Sequence, residues 1–162
     1  MRAHALSRGN RRIDMNDDFT KLEQDAWGGL LGMYGRMFHK IDDHLQEHFR
    51  ITHIEFEVLL RLSWADDHRL RIQDLAARSV LTRSGMSRAV ERLERAGFVT
   101  RVGASEDRRG AYAVLTEAGF IHIRAALHSH VAFVKDHFLN FFSEQELKQM
   151  AGYWQRLPKS QA

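Results

Sequence analysis

The sequence predicts a mainly α-helical fold with one small β-hairpin. Apolar residues recur at spacings of three and four along most of the 162 residues, which is the periodicity of amphipathic helices. Two short runs rich in β-branched and aromatic residues, 98–102 and 111–115, flank the polar stretch GASEDRRG and predict a hairpin with a long tip. One proline and a hydrophobic content of 44% fit one compact domain.

Composition excludes several classes of protein. The chain has no cysteine, which excludes a disulfide scaffold, a cysteine-zinc site and a thiol-based oxidation sensor. No apolar run approaches the roughly 20 residues of a membrane span, and the N-terminal residues show no apolar stretch followed by a cleavage site. We therefore expect a cytoplasmic protein, with residues 1–16 as a mobile N-terminal tail.

Four helical segments are predicted before the hairpin. The first is a long amphipathic helix from about residue 19 to residue 49. Thr52 followed by Glu55 forms a capping box that opens the second helix, which stops near the sequence ADDH. A two-turn pattern from Ile72 to Val80 and a further pattern from Met86 to Gly97 predict the next two helices, which the sequence LTRSG separates.

Two more helices are predicted after the hairpin. Thr116 caps the first, in which a helical repeat of apolar residues continues for about 25 residues to Phe142. Ser143 and Glu146 form a second capping box, which opens the last helix. The apolar side of this last helix is expected to face inward and consists of Leu147, Met150, Trp154 and Leu157.

Arginine is concentrated in one segment, although the net charge is only +3. From Arg78 to Arg109 the chain carries eight arginines against four acidic residues, and the remainder is close to neutral. Arginine forms forked hydrogen bonds with phosphates and guanine edges, so this segment favours an anionic partner. A solvated helix face with i,i+4 pairs, such as Glu91 with Arg95, explains the charge pattern equally well on its own.

The order helix, short helix, helix and hairpin is that of a winged helix-turn-helix, a module that reads DNA. The inward side of the helix after LTRSG is predicted to consist of Met86, Ala89, Val90 and Leu93. The outward side then carries small hydroxyl groups beside arginine, a combination that lets a helix enter the major groove and bond bases or phosphates. The predicted DNA-binding residues of this helix and its cap are Thr82, Arg83, Ser84, Ser87 and Arg88. Alternatively, Ser84 and Gly85 only form a turn and a weak helix start.

The tip of the hairpin carries two further predicted DNA-binding residues. Arg108 and Arg109 are expected to reach the neighbouring minor groove, where a narrow and strongly negative groove attracts arginine. Asp107 is predicted to support this wing by holding the guanidinium of Arg109 in position before DNA binds. A charged, solvent-facing turn is the alternative for the sequence EDRR.

The region SVLTRSGMSRAVERLERAGFVTRVGASEDRRGAYAVLTEAG resembles the helix-turn-helix and wing of the MarR family of transcriptional regulators. The family pattern of Asp-x-Arg, a strand and Leu-Thr-x-x-Gly is matched by Asp107, Arg109, Leu115, Thr116 and Gly119. The resemblance spans about residues 17–157 and implies a repressor that binds a palindromic operator as a homodimer. It also implies an N-terminal dimerisation helix at 17–51, a DNA-binding lobe at 52–115 and C-terminal dimerisation helices at 116–162.

The resemblance further implies an effector, because members of this family often bind small aromatic or phenolic anions between the dimer helices and the DNA-binding lobe. Trp27, Glu57 and Arg88 resemble the tryptophan, acid and arginine set of the urate-responsive subgroup, with Glu57 where an aspartate is usual. Alternatively, Trp27 belongs to the apolar side of its helix and Glu57 pairs with Arg61. In this alternative, Arg88 binds only DNA. No cofactor is expected.

An enzyme is the competing class, and the sequence argues against it. No Ser-His-Asp spacing and no Gly-rich phosphate loop is readable, and the ten histidines are scattered. His44 and His48, four residues apart, leave a metal-responsive regulator open, although a solvated helix end explains them more simply. An architectural DNA-binding protein without an effector is the other alternative, and sequence-independent binding would distinguish it.

Overall fold

The computed structural model describes residues 18–77, 79, 82–103 and 111–158. The helices and strands are α1 (Lys21–Phe49), α2 (His53–Trp64), β1 (Arg69–Arg71), α3 (Ile72–Ala77), α4 (Arg83–Arg95), β2 (Val99–Gly103), β3 (Ala111–Leu115), α5 (Glu117–His137) and α6 (Glu144–Trp154). The chain divides into an N-terminal unit, Met1–Arg36, and a C-terminal unit, Met37–Ala162. The predicted N-terminal tail, residues 1–16, lies outside the described residues.

The three strands form one antiparallel sheet in the order β1-β3-β2. The predicted hairpin is confirmed by the pairing of β2 with β3, in which Val99 lies opposite Leu115. The sequence patterns did not predict β1, which pairs with the other edge of β3. A strand of three residues with one apolar side chain, Leu70, is too short for an alternation of period two to be recognised.

The core of the C-terminal unit is built by capped helices. The predicted capping box of α2 is present, because Thr52 accepts a hydrogen bond from the backbone of Glu55 while the Glu55 side chain accepts one from the backbone of Thr52. On α4 the four residues predicted to face inward are all buried, namely Met86, Ala89, Val90 and Leu93. The periodic side chains of α4 thus fix which of its sides remains available to a partner.

Helix α5 begins as predicted and ends earlier. Thr116 caps it by accepting a hydrogen bond from Gly119, but the helix stops at His137 rather than continuing to Phe142. A short 3₁₀ turn, Leu139–Phe141, follows. The helix ends where the backbone of Phe138 leaves the helical region, at φ −144° and ψ −61°, and the extended backbone of the N-cap residue Ser143 then separates this segment from α6.

Several large apolar side chains remain uncovered. On α6 and just beyond it, Trp154 is 50% exposed and Leu157 is 58% exposed, so the expectation that both face inward is wrong for the single chain. In the N-terminal unit, the exposed apolar side chains of α1 include Trp27, Leu31 and Tyr34. The helical spacing of apolar residues identifies the apolar side of a helix, but it does not show whether the same chain or a partner covers that side. No helix among the described residues combines the length and apolar character needed to cross a membrane.

Candidate DNA-binding surface

The start of α4 is fixed by its cap. The Oγ1 atom of Thr82 accepts a hydrogen bond from the backbone nitrogen of Gly85 at 3.2 Å and lies 3.1 Å from the Oγ atom of Ser84. The cap satisfies a backbone donor that would otherwise need water or a ligand. Ser84 and Gly85 therefore lie in the first turn of a capped helix, and their role in DNA binding stays a prediction.

The N-terminal half of α4 brings the predicted reading residues together. Arg83, Ser84 and Arg88 are exposed, and Ser87 is half-buried. The Nε atom of Arg88 lies 3.5 Å from the carbonyl oxygen of Ser84, a distance at which a hydrogen bond is weak. The Arg88 side chain is therefore exposed and only lightly held, which suits a group that must turn toward a partner.

Arg101 connects the wing to α4, a role that the sequence patterns did not assign. Its Nη2 atom donates to the carbonyl oxygen of Ser87 at 2.7 Å, and its Nε atom lies 3.3 Å from the Oε2 atom of Glu94. Its backbone nitrogen also donates to Glu94, at 3.2 Å. Strand β2 is thus held against two turns of α4, so the wing and the reading helix are positioned together.

A concave surface of about 210 Å³, which we name the basic cleft, adjoins this half of α4. Its described lining consists of Arg71, Ile72, Gln73, Arg83, Ser87, Arg101 and Ala111. Among these described lining residues there are three arginines and no carboxylate. The sequence patterns did not predict Arg71 in this surface, since only the position of β1 beside β3 brings it near α4.

Arg92 stabilises the fold by pairing with a buried carboxylate, so its charge does not add to that of the DNA-binding surface. Its Nε atom lies 2.5 Å from the Oε1 atom of Glu55, whose side chain is 7% exposed. A buried carboxylate needs such a partner, so this guanidinium neutralises Glu55 and ties α4 to the start of α2. The count of local arginines therefore overstates the charge available to DNA by at least one.

The wing residues predicted from the sequence, Asp107, Arg108 and Arg109, lie outside the described residues. Their roles stay predictions. The described strands of the hairpin end at Gly103 and begin again at Ala111.

The residues assigned to an effector lie on three helices. Trp27 belongs to the N-terminal unit, where it is half exposed on α1. Glu57 lies on α2, and its carboxylate oxygens are 3.4 Å from His53 and 3.8 Å from Arg61. The pairing with Arg61 is the one that the alternative interpretation expected. The assignment of Trp27, Glu57 and Arg88 to a ligand stays a prediction.

Histidines gather on α1 and α5 of the C-terminal unit. The rings of His44 and His48 lie 4.5 Å apart, and the Nε2 atom of His44 is 2.9 Å from the Oγ atom of Ser129. In the part of the chain that the structure describes, no three His, Cys, Asp or Glu side chains are grouped to hold a metal ion. Burial lowers the pKa of His44, with a further lowering from His48, and burial likewise lowers the pKa of His130.

These shifts predict a protein that loses stability in mild acid. The folded state favours neutral His44 and His130, so the unfolded chain binds more protons below the ordinary histidine pKa of 6.5. The free energy of unfolding therefore has its full value above this pH, and it decreases as the pH falls toward the lowered pKa values of the two histidines. Urea denaturation between about pH 7.5 and 5.5 measures the change, in a window above the ordinary carboxylate pKa values.

A matched pair of variants assigns this effect to burial. His130→Gln should reduce the fall in the free energy of unfolding, whereas His128→Gln, at an exposed position of the same helix, should leave it unchanged. An identical pH dependence in both variants would contradict the assignment.

The fold and the α4 surface define a DNA-binding protein of the winged helix-turn-helix class. A model of the MarR family matches residues 51–110. AbsC, a MarR family transcriptional regulator from Streptomyces coelicolor, has a crystal structure that covers 83% of this chain and 90% of AbsC, with 33% identity and a TM-score of 0.76. The chain belongs to the MarR family of transcriptional regulators.

Two other relatives agree with this membership. Sco3205, a MarR family regulator from Streptomyces coelicolor solved in complex with DNA, is 28% identical with a TM-score of 0.79 over 89% of this chain and 93% of its own. The transcriptional repressor YetL of Bacillus subtilis is 29% identical over 122 residues, which are 71% of this chain and 73% of YetL. These relatives are transcriptional regulators and not enzymes.

Proposed function

We propose that the protein is a repressor that binds a palindromic operator as a homodimer and reads each half-site with α4. The observation that carries the proposal is the exposed N-terminal half of α4, where two short serines stand beside Arg83 and Arg88. Short side chains allow a helix to approach the floor of the major groove, and arginine can form two hydrogen bonds with one guanine. The wing then reaches the adjacent minor groove through Arg108 and Arg109.

Rigidity of the reading helix supports a sequence-specific role. One side of α4 is buried in the core, Arg92 ties it to Glu55, and Arg101 ties it to β2. Discrimination between bases requires that the helix carrying the reading side chains keep a fixed position relative to the groove. An architectural DNA-binding protein would not need this, since contacts with phosphates alone tolerate a looser fit.

The exposed apolar surface supports the homodimer, and the operator symmetry follows from the dimer. Large apolar side chains are exposed on α6 and on the N-terminal part of α1, where a second copy of the chain would remove them from water. A two-fold dimer of a helix-turn-helix protein places two reading helices about one helical turn of DNA apart, which predicts an inverted repeat. The repressor role follows the name of YetL, and a small aromatic or phenolic anion is the proposed effector.

Alanine substitutions at Arg88 and Arg109 test the DNA-reading role. Arg88→Ala should weaken operator binding by about 1–3 kcal/mol and relax the preference for one base, because it removes a contact with a base edge. Arg109→Ala should weaken binding to operator and scrambled DNA alike, because it removes a contact that carries little sequence information. Gel-shift titration at fixed salt, with an operator selected from random duplexes, measures both effects.

Arg95→Ala is the control, because Arg95 is exposed in the last turn of the same helix. Its operator affinity should remain close to that of the unchanged protein. Unchanged affinity in both the Arg88 and Arg109 variants would contradict the proposal. Equal binding of operator and scrambled DNA by the unchanged protein would favour the architectural alternative. Adding salicylate or urate to the same titration tests release by an aromatic anion.

A further inference from the structure

Gln73 of α3 holds the first residue of the reading helix. Its Oε1 atom accepts a hydrogen bond from the Nη2 atom of Arg83 at 2.8 Å, across 10 positions of the chain. A guanidinium group can only donate, so the side-chain amide of Gln73 must turn its oxygen toward Arg83. Both side chains are exposed and both line the basic cleft, so this bond lies on the surface that the reading half of α4 presents.

Arg83 occupies a position at which a positive charge does not stabilise α4. It is the first residue of the helix, and the first turn contains no acidic side chain. The N-terminus of a helix carries the positive end of the helix dipole, so acidic residues are favourable there and basic residues are favourable in the last turn. The stability of α4 therefore does not explain Arg83, whereas a negatively charged partner at this end of the helix does.

The described partner of Arg83 is neutral, which suits a residue that must bind DNA. A carboxylate at position 73 would form a stronger, charge-assisted bond, but it would cancel the charge of Arg83 and repel phosphates. The Gln73 amide orients the guanidinium group and leaves its charge available. An arginine that is held in this way also loses less conformational freedom when it binds, so its contact with DNA is less costly to form.

The elements around Gln73 fix its position. Leu75, on the same helix, is buried in the core. Strand β1 ends directly before α3 and is paired with β3, with Leu70 opposite Ala113. A side chain on such a rigid element holds a neighbour more precisely than one on a loop. Gln73 is therefore able to fix the direction in which Arg83 points.

Helices α3 and α4 are the two helices of the helix-turn-helix, and they pack against each other. In this module the N-terminal residues of the second helix contact base edges, and the first helix lies across the DNA backbone. We propose that Gln73 is a specificity-determining residue that positions Arg83 for hydrogen bonds to a base edge in the major groove. This role rests on the proposed DNA-reading function and adds a positioning residue outside both the reading helix and the wing.

Operator variants test this role. Each base pair of one half-site of a selected operator is changed in turn, and gel-shift titration at fixed salt gives the affinity for each variant. Arg83→Ala should lose discrimination of about 5- to 150-fold at one base pair, because it removes a forked contact with a base. Gln73→Ala should lose about 3- to 10-fold at the same base pair, the effect of one hydrogen bond, and should leave the other positions unchanged.

A double-mutant cycle identifies the residue through which Gln73 acts. In the Arg83→Ala protein, the further change Gln73→Ala should not alter the affinity, since the side chain that it positions is gone. The Arg88→Ala protein is the matched control. Arg88 is exposed on the same half of α4, but its described contact is with Ser84, so Gln73→Ala should cause its full loss there. Equal losses in the two backgrounds would overturn the proposal.

Gln73→Glu separates positioning from a simple tie between two helices. The carboxylate keeps an acceptor for Arg83, so the thermal unfolding temperature should not fall. The same carboxylate cancels the charge of Arg83 and should weaken operator binding. If Gln73 only tied α3 to α4, the Gln73→Glu protein would bind the operator as tightly as the unchanged protein, and that result would overturn the proposal. Circular dichroism verifies that each variant is folded.

The same titrations distinguish the role of Gln73 from the proposed function. If the unchanged protein binds operator and scrambled DNA equally, operator recognition is wrong and the role of Gln73 is wrong with it. If Arg83→Ala reduces the operator preference and Gln73→Ala leaves it intact, only the role of Gln73 is wrong. A Gln73→Ala protein that binds every operator variant more weakly by one common factor would assign Gln73 to a phosphate contact or to stability, and would also overturn the proposal.

Discussion

Replacing Gly119 with alanine is expected to destabilise the fold by about 3 kcal/mol or more. A Cβ atom at this position would lie 2.1 Å from the carbonyl oxygen of Phe98 and 2.9 Å from the Cδ1 atom of Leu115. The carbonyl oxygen cannot move aside freely, because it accepts a hydrogen bond from the backbone of Thr116 at 3.0 Å. The first turn of α5 and the segment before β2 must therefore separate.

Urea denaturation measures this loss as a lower transition midpoint. Gly103→Ala is the control, since among the described residues a Cβ atom there meets nothing within 4 Å beyond its chain neighbours, and its effect should stay within about 0.5 kcal/mol. A Gly119→Ala protein that unfolds at the same urea concentration as the Gly103→Ala protein would show that the close approach is not required. Gly119 is the last residue of the Leu-Thr-x-x-Gly pattern, so the experiment also gives that pattern a physical cause.

Local signals in the sequence were sufficient for most helix starts. The capping boxes of α2 and α6 and the cap of α5 each join residues three positions apart, so they are readable without knowledge of the fold. The buried side of α4 was predicted for a similar reason, because an apolar period of 3.6 residues identifies one side of a helix. The predicted side chains of the reading surface follow directly from that period.

Contacts between distant residues were not predictable in this way. Arg71 meets Tyr112 across 41 positions, and Arg92 meets Glu55 across 37 positions. Neither pair has a periodic signal, since their proximity depends on how β1 joins the sheet and how α2 packs on α4. The charge pattern indicated that arginines were concentrated here, but it could not separate the one that neutralises a buried carboxylate from those that line the basic cleft.

The apolar side of α6 shows a second limit of sequence patterns. Its spacing is the same whether the side chains enter the core of one chain or meet a second chain, and the structure leaves Trp154 half exposed. An experiment must therefore decide whether a second copy of the chain covers this side of α6. Tyr153 and Leu157, more than half exposed beside Trp154, enlarge the apolar surface that a partner would cover.

Trp154→Glu is expected to convert a dimer into monomers and to weaken operator binding by about 100-fold or more. A charge placed in an apolar interface loses its hydration without gaining a partner, so association becomes unfavourable. A monomer then binds one half-site at a time and loses the effective concentration that links the two halves of a dimer. Sedimentation at micromolar concentration measures the assembly, and gel shifts measure the affinity.

Trp64→Glu is the matched control, because Trp64 is 73% exposed near the end of α2 and lies outside α6. This protein should remain dimeric. For an isolated half-site, the Trp154→Glu protein should keep the affinity of the unchanged protein, since α4 and the basic cleft are intact. A Trp154→Glu protein that still sediments as a dimer would place the interface outside the surface around Trp154. If the unchanged protein is a monomer, the prediction of a two-fold symmetric operator is wrong. If the Trp154→Glu protein keeps its half-site affinity but loses the tighter binding to the full operator, the two-fold symmetry of the dimer, rather than a change in α4, supplies the operator affinity.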